Sequence, residues 1–332
     1  MNIDVVLITY NQAPYVERAL QGIVSQITDS DVQVHVIIAD DCSTDGTLQV
    51  IRDFEKKRKL SFEYLQSKVR LGMVGNYKRV LSSITSPYCC LVEGDDYWIN
   101  SYKLKRQIDY MISHPECGLC YTDCSIINED NPNYHYDILF KKEGLLNENN
   151  PLYESRYNAN VTWMLKTELF SFVNIPDESM DIPLILMYES CLHYKLGYIE
   201  EKTGVYRLRR GSVSDCRIES LTDMGNSYKY KKGVFLQGIR YAKKFPESER
   251  TLFDIYSYAL FSIYPAAYIH GDNEFCEYIE RFFDKKLDKN VLRNFIVEFN
   301  LLENRYNMIR SSKAYRLGKF LLKPFSFIKN HL

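Results

Sequence analysis

Across residues 1–125, short apolar runs alternate with stretches of helical period, and few architectures accommodate that rhythm. Asp4-Val5-Val6-Leu7-Ile8-Thr9 reads as a strand, and Val32 to Ala39 as a buried one. Leu60 to Leu65, Tyr88 to Val92 and Gly118 to Thr122 read as three more. Between them, Pro14 to Gln26 sets Val16, Ala19, Leu20 and Ile23 on one helical face behind an early proline. Thr47 to Arg58 follows the cap-forming cluster Ser43-Thr44-Asp45, and Val74 to Ile84 and Tyr102 to Ser113 complete the helices. This alternation predicts an α/β fold: a mostly parallel sheet flanked by helices on both faces.

Beyond that half the rhythm breaks. Residues 124–160 are rich in Asn, Tyr and acidic side chains and read as a long irregular region. Val161 to Leu165 reads as a strand, Pro183 to Leu196 as a helix, and Tyr198 to Glu200 and Thr203 to Leu208 as short strands. After about residue 217 the aromatic and aliphatic residues fall at helical spacing, which predicts a C-terminal helical appendage over 216–332.

Ligands of an open parallel sheet bind beyond the carboxyl ends of its strands. Thr9-Tyr10-Asn11 follows the first strand, Asp40-Asp41-Cys42-Ser43-Thr44-Asp45-Gly46 the second, and Glu93-Gly94-Asp95-Asp96-Tyr97-Trp98 the fourth. Two of these three ends are acidic. Gathered carboxylates repel one another unless a cation joins them. A hard divalent ion, Mn²⁺ or Mg²⁺, bridging carboxylates to a diphosphate resolves the repulsion. Neither a G-x-G-x-x-G turn nor a P-loop follows the first strand, so glycine-rich phosphate cradles are not expected. Asp and Ser also favour turns and helix caps, a role compatible with ligand contact at neighbouring positions.

The remaining composition narrows the classes. Forty-two basic residues against 43 acidic ones give a net charge of -1, which argues against nucleic acid as a partner. No apolar run of about 18 residues is present and no signal-peptide pattern opens the sequence, so a cytoplasmic location is expected. Nine scattered cysteines fit reduced thiols; Cys117-x-x-Cys120 with Cys124 has no second close pair of the kind a structural zinc site needs.

The motifs, taken in order, resemble family 2 glycosyltransferases of the GT-A fold. They are Val5-Val6-Leu7-Ile8-Thr9-Tyr10-Asn11, Ile38-Ala39-Asp40-Asp41-Cys42-Ser43-Thr44-Asp45-Gly46-Thr47, Leu71-Gly72-Met73-Val74-Gly75-Asn76, Val92-Glu93-Gly94-Asp95-Asp96-Tyr97-Trp98, Met180-Asp181-Ile182-Pro183-Leu184, and the run from Val205 to Ser214. The resemblance spans about residues 1–215 and implies a catalytic domain there, with a nucleotide-sugar half (1–125) and an acceptor half (126–215). It implies a nucleotide-sugar site at Thr9, Tyr10, Asp41, Asn76 and Asp95, with Asp41 on the base and Asp95 at the ribose and diphosphate. It implies a metal held by Asp96 and Asp95. The family often has Asp where this chain has Glu93, which leaves Glu93 as an acceptor or sugar contact, with Trp98, Trp163 and Arg207. Lys68 or Arg70 is a further candidate for the nucleotide, and Arg209 and Arg210 for an anionic group.

Asp181 matches the family's catalytic base, with Glu178 and Glu189 as substitutes; its other reading is a plain helix N-cap. The resemblance thus implies an inverting, metal-dependent transferase that takes sugar from a nucleotide diphosphate, UDP foremost. The acceptor would be a glycan or lipid-linked molecule in surface polysaccharide assembly. The alternatives are an inactive nucleotide-sugar-binding or scaffold subunit and a nucleotidyltransferase. The tail from residue 305 alternates Arg310, Lys313, Arg316, Lys319, Lys323 and Lys329 with aromatic and aliphatic residues. Such a segment suits an anionic membrane surface, or a helix packed on the protein.

Overall fold

The computed structural model describes residues 1–65, 67–129, 159–179, 181–209, 225–242 and 270–283, with short pieces at 135–138, 144–146, 244, 263–264 and 267. It divides into two compact units, Met1–Ser257 and Tyr258–Leu332. The first unit therefore extends past the expected boundary at residue 215 and includes a further helix.

The centre of that unit is the expected parallel sheet. Strands β1 (Asn2–Thr9), β2 (Gln33–Asp40), β3 (Glu63–Tyr64) and β4 (Tyr88–Glu93) lie in the order β3-β2-β1-β4, all parallel. Helices α1 (Val16–Val24), α2 (Thr47–Arg58) and α3 (Gly72–Ser83) connect them. Beyond β4 the sheet becomes mixed. β9 (Met164–Lys166) pairs antiparallel with both β4 and β6 (Cys117–Asn128), and β6 pairs parallel with β10 (Lys195–Leu208). β5 (Tyr97–Trp98) and β8 (Gly144–Leu146) add antiparallel to β10, and β7 (His135–Ile138) adds to β6. Helix α4 (Lys103–Ser113) precedes β6, and α5 (Ile182–His193) precedes β10.

Three expectations change here. β6 runs on through Cys124–Asn128, inside the stretch read as irregular, because β7 and β10 supply partners on both sides. The two short strands expected near the end are one strand, β10, with register shifts between Ile199 and Gly204. The strand expected at Val161 is a 3₁₀ turn, Asn160–Thr162, before β9.

Alternation along β1 builds two cores. Ile3, Val5 and Leu7 face one cluster with Leu20 and Ile23 of α1, Phe54 of α2 and Ile108 of α4. Val6 and Ile8 face the other with Tyr77 and Val80 of α3 and Ile185 and Leu186 of α5. The period-two geometry sends neighbours to opposite faces, so both must be apolar in a strand covered on both sides. A one-residue slip would exchange the two sets and displace the carboxyl-edge residues with them. Gly22 lets α1 approach β5, since a Cβ there would come within 2.8 Å of the Trp98 carbonyl oxygen.

Helix α6 (Gly225–Ala242) belongs to the same unit. In the second unit, α7 (Asn273–Phe283) is the main described element, and the Tyr264 hydroxyl bonds Glu280 there. Residues 305–332, the proposed membrane tail, lie outside the described residues. Among the described residues, no helix is long and apolar enough to cross a membrane.

Candidate active site

In-register pairing brings the three strand ends to one edge: Thr9 sits opposite Asp40, and Ile8 opposite Glu93. The loops beyond them are laced together. Asn11, with φ of 52°, donates its backbone N–H to the Ser43 hydroxyl at 2.8 Å and accepts from the Thr44 N–H at 2.8 Å. Asn tolerates that left-handed backbone better than most residues. The Gln12 N–H bonds the Thr47 hydroxyl at 2.8 Å.

The adjacent aspartates divide their work. Asp40 closes its own turn, accepting from the Ser43 backbone N–H and hydroxyl. Asp41 reaches across the edge to the start of α3, where its two oxygens accept from the N–H groups of Leu71 (2.7 Å) and Gly72 (2.9 Å). Each carboxylate oxygen has a second lone pair, so the Asp41 carboxylate can still accept from a ligand. The exposed Arg70 guanidinium lies 4.0 Å over the Tyr10 ring and 3.9 Å from Asp41. Lys68 is exposed on the same loop.

Next to this, Gly94 keeps the edge open, for a Cβ there would come 2.6 Å from Gln12 Oε1 and 3.0 Å from Thr9 Oγ1. Those two atoms, and Asp96 Oδ2, are buried without a protein partner. Buried polar atoms are nearly always bonded, so orphaned ones at a single edge mark a place where a ligand belongs. Asp96 is 1% exposed. Its Oδ1 accepts from the Arg207 backbone N–H at 2.8 Å. Burial, followed by repulsion from Asp95 and Glu93, pushes its pKa well above the usual carboxylate range. Asp95 is paired instead: Arg209 Nε donates to its Oδ2 at 2.6 Å.

A second acidic group lies alongside. Glu93 accepts from the Tyr77 hydroxyl at 3.1 Å and from the Asn160 amide at 3.3 Å. Burial and the nearby Asp95, then Asp181, push its carboxyl up to about 7. Asp181 caps α5, accepting from the Leu184 N–H at 2.9 Å, and also accepts from the Tyr230 hydroxyl of α6 at 2.7 Å. Burial raises its pKa against those two bonds. The Asp181 charge adds to the upward shift of both the Glu93 carboxyl and the Tyr77 hydroxyl.

The protein's own metal ligands are few. Among the described residues, no group of three or more His, Cys, Asp or Glu side chains is arranged to hold an ion. Cys42, Cys89, Cys90, Cys117, Cys120 and Cys124 are free thiols, and all of them but Cys42 are buried. An orphaned carboxylate oxygen on Asp96 with Asp95 adjacent fits a hard cation that takes one or two carboxylates and completes its shell with phosphate oxygens.

Several sequence candidates have structural roles instead. Asn76 is 3% exposed, with its amide nitrogen on the Ala39 carbonyl and its amide oxygen on Arg79, so it braces β2 against α3 rather than meeting a nucleotide. Trp98 is 4% exposed and donates its indole N–H to the Val161 carbonyl at 2.7 Å, with the buried Lys103 ammonium 4.5 Å over its ring. Trp163, equally buried, belongs to the α3 and α5 core. Neither ring has an open face for a sugar. Arg207 gives its backbone N–H to Asp96, its Nε to the Asp95 carbonyl at 2.8 Å, and an ion pair to Glu129. It shapes the acidic turn and is not free for an acceptor. Glu178 is exposed and paired with Arg240, and Glu189 is bonded by Tyr241, so neither stands in for Asp181. Arg210 lies outside the described residues. Gln12, Tyr77, Asn160 and Tyr230 join the site without having been signalled by any motif.

The model of glycosyl transferase family 2 matches residues 4–172. An uncharacterized protein of Mycobacterium tuberculosis is 39% identical over 127 residues, 38% of this chain and 36% of that protein. TuaG of Bacillus subtilis, a putative teichuronic acid biosynthesis glycosyltransferase, is 27% identical over 129 residues, 39% of this chain and 48% of its own. The chain thus spans between about a third and a half of the length of these relatives. Among solved structures, Staphylococcus aureus TarS 1–349 in complex with UDP-GlcNAc superposes with a TM-score of 0.59 at 17% identity, covering 87% of this chain and 77% of that one. The Pyrobaculum calidifontis mannosyltransferase in complex with GDP-Man and Mn²⁺ gives 0.54 at 14% identity, covering 95% and 82%. At such identities these two structures establish a common fold.

Proposed function

The chain belongs to glycosyl transferase family 2, and from that premise we propose that it is an inverting, metal-dependent transferase that moves a sugar from a UDP-sugar to a glycan or lipid-linked acceptor in cell-surface polysaccharide assembly. The observation that carries this reading is the set of orphaned buried atoms, Thr9 Oγ1, Gln12 Oε1 and Asp96 Oδ2, at the edge where Asp41 and Asp95 also stand. UDP as the nucleotide is supported by the TarS complexes with UDP and UDP-GlcNAc. The surface-polymer acceptor is supported by the names of TuaG and of the S. aureus poly(ribitol-phosphate) β-N-acetylglucosaminyltransferase TarS, 30% identical over 115 residues.

In this reading Tyr10 and Asp41 receive the base, Asp95 the ribose and diphosphate, and Asp96 the cation. The cation's contribution, when bound, is to offset charge that gathers on the departing diphosphate. Asp181 takes the proton of the acceptor hydroxyl while that oxygen bonds to the anomeric carbon and the carbon–phosphate-oxygen bond opens on the opposite face. One bond forms and one breaks, with inversion, and the proton rests on Asp181. A carboxylate whose pKa burial has raised suits that role near neutral pH. Residues 305–332 complete the proposal as a basic, aromatic segment that holds the enzyme on the inner membrane surface near a lipid-linked acceptor.

The test is UDP release from a panel of UDP-sugars with Mn²⁺, for the wild type and Asp181→Asn. Release by the wild type, reduced at least 100-fold in the variant, is expected. No release from any UDP-sugar, with or without acceptor lipid, would overturn the proposal.

A further inference from the structure

Asp181 is held from two directions. Its own helix supplies the Leu184 N–H to Oδ1, and α6, more than forty residues downstream, supplies the Tyr230 hydroxyl to Oδ2. A cap bond alone fixes one oxygen and leaves the carboxylate plane to swing about it. A second donor on the other oxygen fixes the plane. The backbone is secured too, because Gln237 Nε2 donates to the Asp181 carbonyl at 2.8 Å. Tyr230 and Gln237 are seven residues apart, two turns of a helix, and so share one face of α6. Four residues on, Tyr241 sends its hydroxyl to Glu189 at 2.7 Å and packs its ring 4.6 Å from Tyr188. This stripe reaches α5 through its side chains, with a hydroxyl donor matched to each of Asp181 and Glu189.

We propose that Tyr230 is a positioning residue for the catalytic carboxylate, and that α6 is thereby a working part of the active site rather than an appendage. The inference rests on the reading of Asp181 as the base. The titratable groups that bear on Asp181 are Tyr230 from α6, through a hydrogen bond, and Tyr77 from α3 and Glu93 from β4, through charge; the Arg240–Glu178 ion pair lies on exposed side chains. Of the three, Tyr230 alone donates a hydrogen bond to Asp181. That bond favours the charged form of the carboxylate, in opposition to the burial that raises its pKa.

The experiment follows Asp181 by ¹³C-carboxyl NMR titration of the full chain, the resonance assigned by its loss in Asp181→Asn. Tyr230→Phe should raise the titration midpoint by about one pH unit, the size of one charge-assisted hydrogen bond. Tyr241→Phe, which removes a hydroxyl from the same helix face but from Glu189, should leave it unmoved. Should Tyr230→Phe not fold, 3,5-difluorotyrosine at position 230 keeps the hydroxyl as a stronger donor and should lower the midpoint. An unmoved midpoint in the folded Tyr230 variant, or equal shifts in both Tyr→Phe variants, overturns the proposal. In turnover, Tyr230→Phe should lower kcat about tenfold with the donor KM unchanged. Unimpaired turnover by Asp181→Asn would instead overturn the base assignment, an outcome separate from the NMR result.

Discussion

Replacing Asp96 with Asn should make the ligand-free protein more stable while removing its function. The wild-type side chain is buried, with Oδ1 on the Arg207 N–H and Oδ2 without a partner. Asn keeps the first bond. At the second atom it exchanges a carboxylate oxygen, beside Asp95 and Glu93, for an amide that those acids can receive. A buried, unpaired carboxylate costs several kcal/mol even after relaxation, whereas a poorly bonded amide costs about 1–3 kcal/mol. Part of the carboxylate's cost is avoided by protonation, so a net gain of about 1–2 kcal/mol is expected. At about 2–4 °C per kcal/mol for a unit of this size, Tm should rise by about 2–8 °C.

The gain must also depend on pH. The folded-state pKa of Asp96 lies above its unfolded value. Wild-type stability is therefore intact below about pH 4 and falls as pH rises from there toward the folded pKa. The Tm gap between variant and wild type should be wider at pH 8 than at pH 5. Saturating UDP and Mn²⁺ should then reverse the order, since 100-fold excess over Kd stabilises only the competent protein, by about 2.7 kcal/mol. Scanning calorimetry of both proteins at the two pH values decides it. A variant that melts below the wild type at pH 8, or a gap that ignores pH, refutes the reasoning.

Glu93→Gln should flatten the remaining loss of stability between about pH 4.5 and 7, because a carboxyl raised to about 7 in the folded protein also destabilises it across that window; thermal melts over the range check this. Trp98→Phe should cost about 1–3 kcal/mol in denaturant unfolding, from the orphaned Val161 carbonyl, and leave UDP affinity unchanged. A weakened donor affinity with unchanged stability would restore the sugar-stacking role to Trp98. Deleting residues 305–332 should abolish flotation with anionic vesicles, and equal binding by the truncated chain would end the membrane assignment.

β1, β2 and β4 are legible because each carries an apolar run, and strand ends in such a sheet are bound to converge; β3 is reduced to Glu63–Tyr64 of the expected Leu60–Leu65. Asp41, Asp95, Asp96 and Asp181 are proposed as site residues on those grounds together with the family's motifs. What the edge does with the remaining residues is not legible in this way, since it depends on partners distant in sequence. Arg207, whose sequence position suggests an acceptor or sugar contact, is engaged by Glu129 and the Asp95 carbonyl. Asn76 belongs to a family motif that implies nucleotide contact, yet its amide is spent on Ala39 and Arg79. Trp98 and Trp163 illustrate the same limit, because an aromatic residue beside an acidic turn has the same sequence appearance in a core as in a sugar site. The antiparallel strands β7 and β8 have no sequence signal of their own because they are only four and three residues long, and such short segments become strands where an existing edge offers hydrogen bonds. Tyr230 is invisible for a related reason: 49 residues separate it from Asp181, with no pattern to join them.

Calorimetric titration of UDP into the protein, with and without Mn²⁺, probes the shared cation and diphosphate site most directly. The wild type should bind UDP in the presence of Mn²⁺ and lose most of that affinity without it, and Asp96→Ala should show no dependence on the ion. Equal UDP affinity in all of these conditions, or no binding in any, would contradict the account.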